Sequence, residues 1–239
     1  MKLSLVIPCF NEAANLPLLL ERCTALGIRQ DMEIILVDNG STDTTPKMLA
    51  ASVPHFPGCR SVRVEVNQGY GFGILSGLRA AAGDILGWTH ADMQTDPQDA
   101  LPALEFFQKR GPNLFVKGRR YGRPLTDIFF TVGMSCFELL LLGKCMWDIN
   151  AQPTFFSRTF FETWEDPPHD FALDLYAYYM AVKQKIPVHR FPVRFGERAH
   201  GFSHWNVNWS AKMKFIRRTM DFSLNLRRRV RQWKSSCIA

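Results

Sequence analysis

Apolar residues fall in two rhythms along the first hundred positions. Short unbroken runs at 3–7 (LSLVI), 33–37 (EIILV), 61–66 and 84–89 (DILGWT) predict buried strands. Between them, Leu16, Leu19, Leu20, Cys23 and Leu26 recur at helical spacing within 12–26, which Gly27 ends. Further helices are predicted over about 44–51 and 73–82. Strands alternating with helices imply a mostly parallel sheet, whose ligands gather at the carboxyl ends of the strands. Pro8 to Glu12, Asp38 to Asp43 and His90 to Gln94 each follow a strand in that position, so three polar clusters are expected at one edge.

The second half is less regular. A short strand is predicted at Leu114–Val116 and a helix at Leu175–Val182. The Leu- and Phe-rich run from Ile128 to Gly143 contains Glu138 and is shorter than the ~20 apolar residues of a membrane span, so a buried or interfacial helix is expected. From Trp209 onward, Trp209, Met213, Ile216, Met220 and Leu224 form one helical row, and Phe215, Phe222, Leu226, Val230 and Trp233 a second. The division expected is a catalytic-type domain over 1–205 and a basic amphipathic tail over 206–239.

Composition sharpens this picture in two places. The net charge is +7, and nine Lys/Arg lie between Lys212 and Lys234 beside a single acid, Asp221, leaving the body of the chain close to neutral. A basic helix with Trp and Phe on its apolar side suits an anionic membrane surface. The same rows also suit packing on the domain or on a second copy, so a homo-oligomer stays open. Nucleic acid is not expected, since the body has no basic face or nucleic-acid motif. The six cysteines are scattered, without a CxxC pair, which argues against a disulfide framework or zinc site and suits a reducing compartment. With no apolar signal core ahead of Leu3, the expected location is cytoplasmic, peripheral on the inner face of a membrane.

Several residue types at these positions carry chemistry. Asp38 can accept hydrogen bonds from a nucleobase N–H or ribose hydroxyls, although Asp38-Asn39-Gly40-Ser41 is also a sequence of turn formers. Gly69, Gly71 and Gly73 lack the Gly-Lys-Ser/Thr of a Walker loop and the acid of a dinucleotide fingerprint; tight packing and direct ligand contact are both open for them. Asp96 before Pro97 reads as a helix cap.

Taken in order, LVIPCFNE (5–12), EIILVDNGSTDTT (33–45), NQGYGFGILSGLRAAAGDIL (67–86) and HADMQTDP (90–97) resemble family 2 glycosyltransferases, most closely the dolichyl-phosphate mannose synthase and bactoprenyl-phosphate glycosyltransferase group. The resemblance spans roughly 3–200. It implies a GT-A (Rossmann-like) fold: a mixed, mostly parallel sheet flanked by helices, here with C-terminal amphipathic interfacial helices.

It also implies a nucleoside-diphosphate sugar (UDP or GDP) as donor, held by Pro8, Phe10, Glu12, Asp38, Gly69, Ala91, Gln152, Arg194 and His204. The group reads Asp-Ala-Asp-x-Gln where this chain has His90-Ala91-Asp92-Met93-Gln94, so a divalent cation, Mg²⁺ or Mn²⁺, is expected on Asp92, Gln94 and His90. Imidazole in place of the first acid suits the softer Mn²⁺ better than Mg²⁺. Arg120, in the place of the group's Gly-x-Arg-Tyr, and Arg198, in a basic loop, are expected to face phosphates. The function implied is inverting transfer of a hexosyl group to a polyprenyl phosphate, with Asp92, Asp174, Arg120 and Arg198 at the reaction. Two alternatives accompany it: a hydroxyl acceptor with Asp174 (or Asp170) as base, and a non-catalytic nucleotide-sugar-binding scaffold at the membrane.

Overall fold

The computed structural model describes residues 1–200 and 209–236. In chain order its elements are β1 (Leu3–Cys9), α1 (Leu16–Gly27), β2 (Met32–Asn39), α2 (Thr45–Ser52), β3 (Cys59–Val64), α3 (Tyr70–Ala80), β4 (Ile85–Trp88), α4 (Ala100–Arg110), β5 (Phe115–Tyr121), α5 (Leu125–Leu142), β6 (Thr154–Ser157), α6 (Arg158–Phe161), α7 (Leu173–Lys183), β7 (Val188–Arg194) and α8 (Trp209–Ser236). They form two compact units: Met1–Arg123 with Asn150–Gly201, and Pro124–Ile149 with Phe202–Ala239. These units differ from the division expected at residue 205 in grouping Pro124–Ile149 with the C-terminal residues. The segment Pro124–Ile149 contains α5, which packs on α8 rather than joining the sheet.

The first unit is a seven-stranded sheet in the order β3-β2-β1-β4-β6-β5-β7. All neighbours pair parallel except β6, which runs antiparallel to both β4 and β5. Six strands thus end at one edge, where β6 begins. Every residue of β1 and β2 is buried, as expected for parallel strands covered on both faces. Leu16, Leu19, Leu20, Cys23 and Leu26 of α1 pack into the same core.

The predicted strands and helices are present, with shifted boundaries that have local causes. α1 begins at Leu16 rather than near residue 12, because Asn11 stands at φ 55° and turns its side chain to the loop after β2. Pro17, with no N–H to lose, suits the first helical turn. β3 covers 59–64, its ends set by pairing from Ile34↔Cys59 to Asn39↔Val64. α3 starts at Tyr70 behind Gly69, whose φ of +117° suits glycine alone. Asp96 caps the turn before α4, accepting from the Gln98 N–H at 2.9 Å.

In the second unit the apolar run is α5. No helix among the described residues is long and apolar enough to cross a membrane. Leu125, Phe129 and Leu140 are more than four-fifths exposed along α5, while Glu138 is fully buried and accepts a 2.6 Å hydrogen bond from Ser223 of α8. Within the described residues the tail is one continuous helix, α8. Of its predicted apolar positions, Leu226 is buried and Met213, Met220 and Leu224 are exposed. The side chains of Trp209, Phe215, Val230 and Trp233 lie outside the described residues.

Candidate active site

The loops after β1 and β2 are zipped together. Asn11 Oδ1 accepts from the backbone N–H groups of Thr42 (2.8 Å) and Asp43 (3.3 Å), the Asn11 N–H donates to Ser41 Oγ, and the Glu12 N–H donates to Thr45 Oγ1 at 2.9 Å. Asp38, at the end of β2, accepts from the Ser41 N–H at 3.0 Å through one carboxylate oxygen, the turn its sequence suggested. Its other oxygen is buried without a hydrogen-bond partner. A cavity of about 130 Å³ has Asp38 in its lining, together with Pro46, Leu49, Ala50, Ser61, Val62 and Arg63. A buried unpartnered acceptor fits a ligand N–H or hydroxyl. Pro8 is buried in β1 opposite Val37, Phe10 is exposed, and Glu12 is half-buried. Burial raises the Glu12 pKa, against a hydrogen bond from Asn15.

Beyond β4, Ala91 and Asp92 are buried and His90 and Gln94 half-buried. Asp92 accepts from the Gln94 N–H at 3.1 Å, and its second oxygen lies 3.0 Å from the Arg198 guanidinium. The segment after β7 runs over this turn: the Gly196 N–H donates to the Gln94 carbonyl at 2.8 Å, Gln94 Nε2 to the Gly196 carbonyl at 3.3 Å, and Asn15 to the His200 carbonyl at 3.4 Å. Arg120 lies over the Phe195 ring, 5.1 Å from its centroid. Burial lowers the His90 pKa, against the pull of the Asp92 and Asp174 carboxylates and with help from Arg198 and Arg120.

Under this turn sits a polar network that sequence reasoning only half identified. Asp174, on the first turn of α7, accepts from Gln152 Nε2 at 2.6 Å. Lys117, in β5 and completely buried, lies 3.6 Å from the same carboxylate and donates to the Ala151 carbonyl at 2.6 Å and Thr154 Oγ1 at 2.7 Å. Burial raises the Asp174 pKa, while Lys117, His90 and Gln152 oppose it. Tyr70 stacks with His90 (ring centroids 5.4 Å apart) and with Phe171 (4.6 Å). Its hydroxyl pKa is raised by burial and by Asp174 and Asp92.

Other expected residues fall differently. Gly69 and Gly71 have packing reasons: a Cβ at either would meet the carbonyls of His169 or Pro168 at 2.3 and 2.6 Å. Asp170 turns to its own backbone, accepting from the Ala172 N–H, and so is less suited than Asp174 to a site role. Arg194 is exposed at the end of β7, paired in register with Tyr121. His204 lies outside the described residues. Lys117, Tyr70 and Phe171 were missed; the one available signal was a lysine following the apolar Leu114-Phe115-Val116 of a predicted strand.

A divalent cation would find one protein carboxylate here, Asp92, with Gln94 and His90 beside it in sequence. Among the described residues no three His, Cys, Asp or Glu side chains group to hold a metal. Mg²⁺ is commonly held by one or two carboxylates plus substrate phosphates, so the donor set fits a cation carried with a diphosphate once Arg198 yields its oxygen.

A mostly parallel sheet with the acid-bearing loops of its first, second and fourth strands at one edge is the GT-A architecture. The chain belongs to glycosyl transferase family 2, whose model matches residues 4–223. It is 41% identical over 107 residues to the undecaprenyl-phosphate 4-deoxy-4-formamido-L-arabinose transferase of Serratia proteamaculans (strain 568), covering 43% of this chain and 32% of that protein. The like-named protein of Yersinia enterocolitica is 36% identical over 114 residues, covering 46% and 34%. The chain thus spans about a third of the length of these relatives. Among solved structures, glucosyl-3-phosphoglycerate synthase from Mycobacterium tuberculosis with Mn²⁺, uridine diphosphate and glucosyl-3-phosphoglycerate superposes with a TM-score of 0.70 at 21% identity, over 95% of this chain and 79% of that one. The same enzyme with Mn²⁺, uridine diphosphate and phosphoglyceric acid gives 0.71 at 22% identity, over 95% and 78%. At that identity the likeness establishes the shared fold.

Proposed function

We propose that the chain transfers a hexosyl group, with inversion, from a nucleoside-diphosphate sugar (UDP or GDP) to a polyprenyl phosphate at an anionic membrane surface, on its cytoplasmic side. The observation that carries this reading is the meeting of Arg198 with Asp92 beside the β1 and β2 loops, which brings acid and guanidinium to one strand edge. The relatives named for undecaprenyl phosphate support the acceptor class. The structural neighbour crystallised with uridine diphosphate and Mn²⁺ supports the donor class.

In this reading Asp38 takes the base or ribose and Glu12 the neighbouring hydroxyls. An acceptor phosphate oxygen attacks the anomeric carbon opposite the departing nucleoside diphosphate; the new C–O bond forms as the old one breaks, and the configuration inverts. Arg120 and Arg198 balance the phosphate charge, which a guanidinium meets with paired N–H donors. A divalent cation bound at Asp92, Gln94 and His90 would withdraw charge from the leaving diphosphate. Since the attacking phosphate is already an anion, no base is needed. Asp174, 3% exposed and bonded to Gln152, is better placed to orient the pocket than to accept a proton from a hydroxyl.

The second unit supports the membrane part of the proposal. Exposed Leu125, Phe129 and Leu140 lie on α5, and α8 carries the basic segment. Such an element lies in an interface by apolar burial plus attraction to anionic lipid.

The test is transfer of labelled sugar from UDP- and GDP-hexoses into undecaprenyl phosphate by purified protein with Mn²⁺ or Mg²⁺. Transfer lost in Asp92→Ala is expected. Neither transfer nor donor hydrolysis with any donor would leave only a binding scaffold.

A further inference from the structure

We propose that Lys117 is a positioning residue that fixes the carboxamide of Gln152, so that its oxygen reads a hydroxyl or N–H donor on the transferred sugar. The inference rests on the donor reading above and names how that site selects its sugar.

A side-chain amide can face either way, and which way is settled by its partners. Gln152 is 1% exposed and lies 2.6 Å from Asp174. An ionised carboxylate only accepts, so it must meet Nε2 and never Oε1. A protonated Asp174 could donate, and the amide would then be free to turn round. The orientation of Gln152 therefore depends on the charge of Asp174.

That charge sits where water barely reaches. A carboxylate so buried stays ionised only beside a compensating cation. Lys117 supplies one, 0% exposed and 3.6 Å away. Its ammonium also binds Ala151 and Thr154, which flank the Gln152-Pro153 pair, so one group holds both the charge and the turn that carries the amide.

With Nε2 committed to Asp174 and 3.5 Å from the Tyr70 hydroxyl, Oε1 of Gln152 is buried with no hydrogen-bond partner. An acceptor left so is costly unless a ligand satisfies it. A site built to receive such a bond also rejects a ligand that lacks the donor. The Tyr70 ring beside Gln152 stacks on those of His90 and Phe171 and offers an aromatic face to a ligand.

The experiment measures, by calorimetry with Mn²⁺ or Mg²⁺, the dissociation constants of UDP, GDP, UDP-glucose, UDP-N-acetylglucosamine and GDP-mannose. For the sugar that wild-type protein prefers, the ratio of nucleotide-sugar to nucleotide constants isolates the sugar's contribution. Lys117→Met and Gln152→Met should each raise that ratio roughly tenfold, the weight of one hydrogen bond, with nucleotide affinity within about twofold of wild type. In the Gln152→Met background, Lys117→Met should add nothing further to the ratio. If Lys117→Met alone does not fold, Lys117→Met with Asp174→Asn removes both charges together and should show the same tenfold loss. Additive effects of the two sites, or an unchanged ratio while nucleotides still bind, overturn the inference alone. Failure of wild-type protein to bind any of the nucleotides overturns the donor reading and the inference with it.

Discussion

The guanidinium of Arg198 lies 3.0 Å from Oδ2 of Asp92, so the basic segment after β7 rests its charge on the carboxylate proposed to hold a cation. Arginine and metal compete for that oxygen. Removing the side chain in Arg198→Ala should strengthen Mn²⁺ binding to nucleotide-free protein, by up to about fivefold, since a partly exposed pair contributes at most ~1 kcal/mol. The same variant should lose transfer activity. Titration of Mn²⁺ followed by electron paramagnetic resonance checks the first effect; weaker Mn²⁺ binding would show that Arg198 does not contend with the metal.

Asp92→Asn keeps an oxygen to accept from the Gln94 N–H and should fold normally. Transfer should nonetheless fall by roughly 100-fold or more, the usual scale for deleting a charge that acts on a leaving group. The check pairs circular dichroism with turnover; near-normal turnover in a folded variant would remove Asp92 from the reaction.

For Asp38→Asn, the bond from Ser41 can persist while the unpartnered buried oxygen becomes an amide nitrogen. Unliganded protein should melt at about the same temperature, because one unpartnered buried polar atom replaces another. Stabilisation by UDP or GDP should shrink, with affinity down about tenfold. Melting curves with and without nucleotide report both effects, and an undiminished nucleotide shift would exclude Asp38 as a contact.

Glu138 titrates inside the α5–α8 pair. Burial pushes its pKa up to about 7, only partly offset by the hydrogen bond from Ser223. A carboxyl whose folded pKa is raised holds its proton longer in the folded state, so its stabilising protonated form is intact below about pH 4.5 and lost as pH rises through 7. Wild-type protein should therefore lose up to about 3 kcal/mol between those pH values relative to Glu138→Gln. Chemical denaturation at several pH values tests this, and parallel pH curves for the two proteins would contradict it.

Phe129→Glu combined with Leu140→Glu places two charges on the exposed line of α5, within the second unit. Co-flotation with phosphatidylglycerol vesicles should drop severalfold while nucleotide binding is unaffected. Equal flotation would assign the surface to some other contact.

How much of this was legible beforehand follows from range. β1 and β2 showed in the sequence as unbroken apolar runs, because a parallel strand covered on both faces has no polar side to alternate. Asp38 and Asp92 showed because they stand within three residues of the ends of such runs. Lys117 did not, although it is among the largest fully buried side chains. A lysine in a short strand beside Arg119 and Arg120 has the look of a surface cluster, and its partners lie on β6 and α7, far along the chain. β6 and β7 were likewise missed, since four- and seven-residue strands gain their identity from the neighbours they pair with.

The sequence alone determined the alternation of strands and helices, the polar turns at strand ends and the basic character of the C-terminal helix, because each depends on residues near one another in the chain. Tertiary structure decided which turns meet, that β6 enters antiparallel between β4 and β5, that α5 joins α8, and that a buried lysine lies 3.6 Å from Asp174. Those depend on contacts between distant segments, where one side chain's charge and hydrogen bonding are set by a partner that local pattern does not specify.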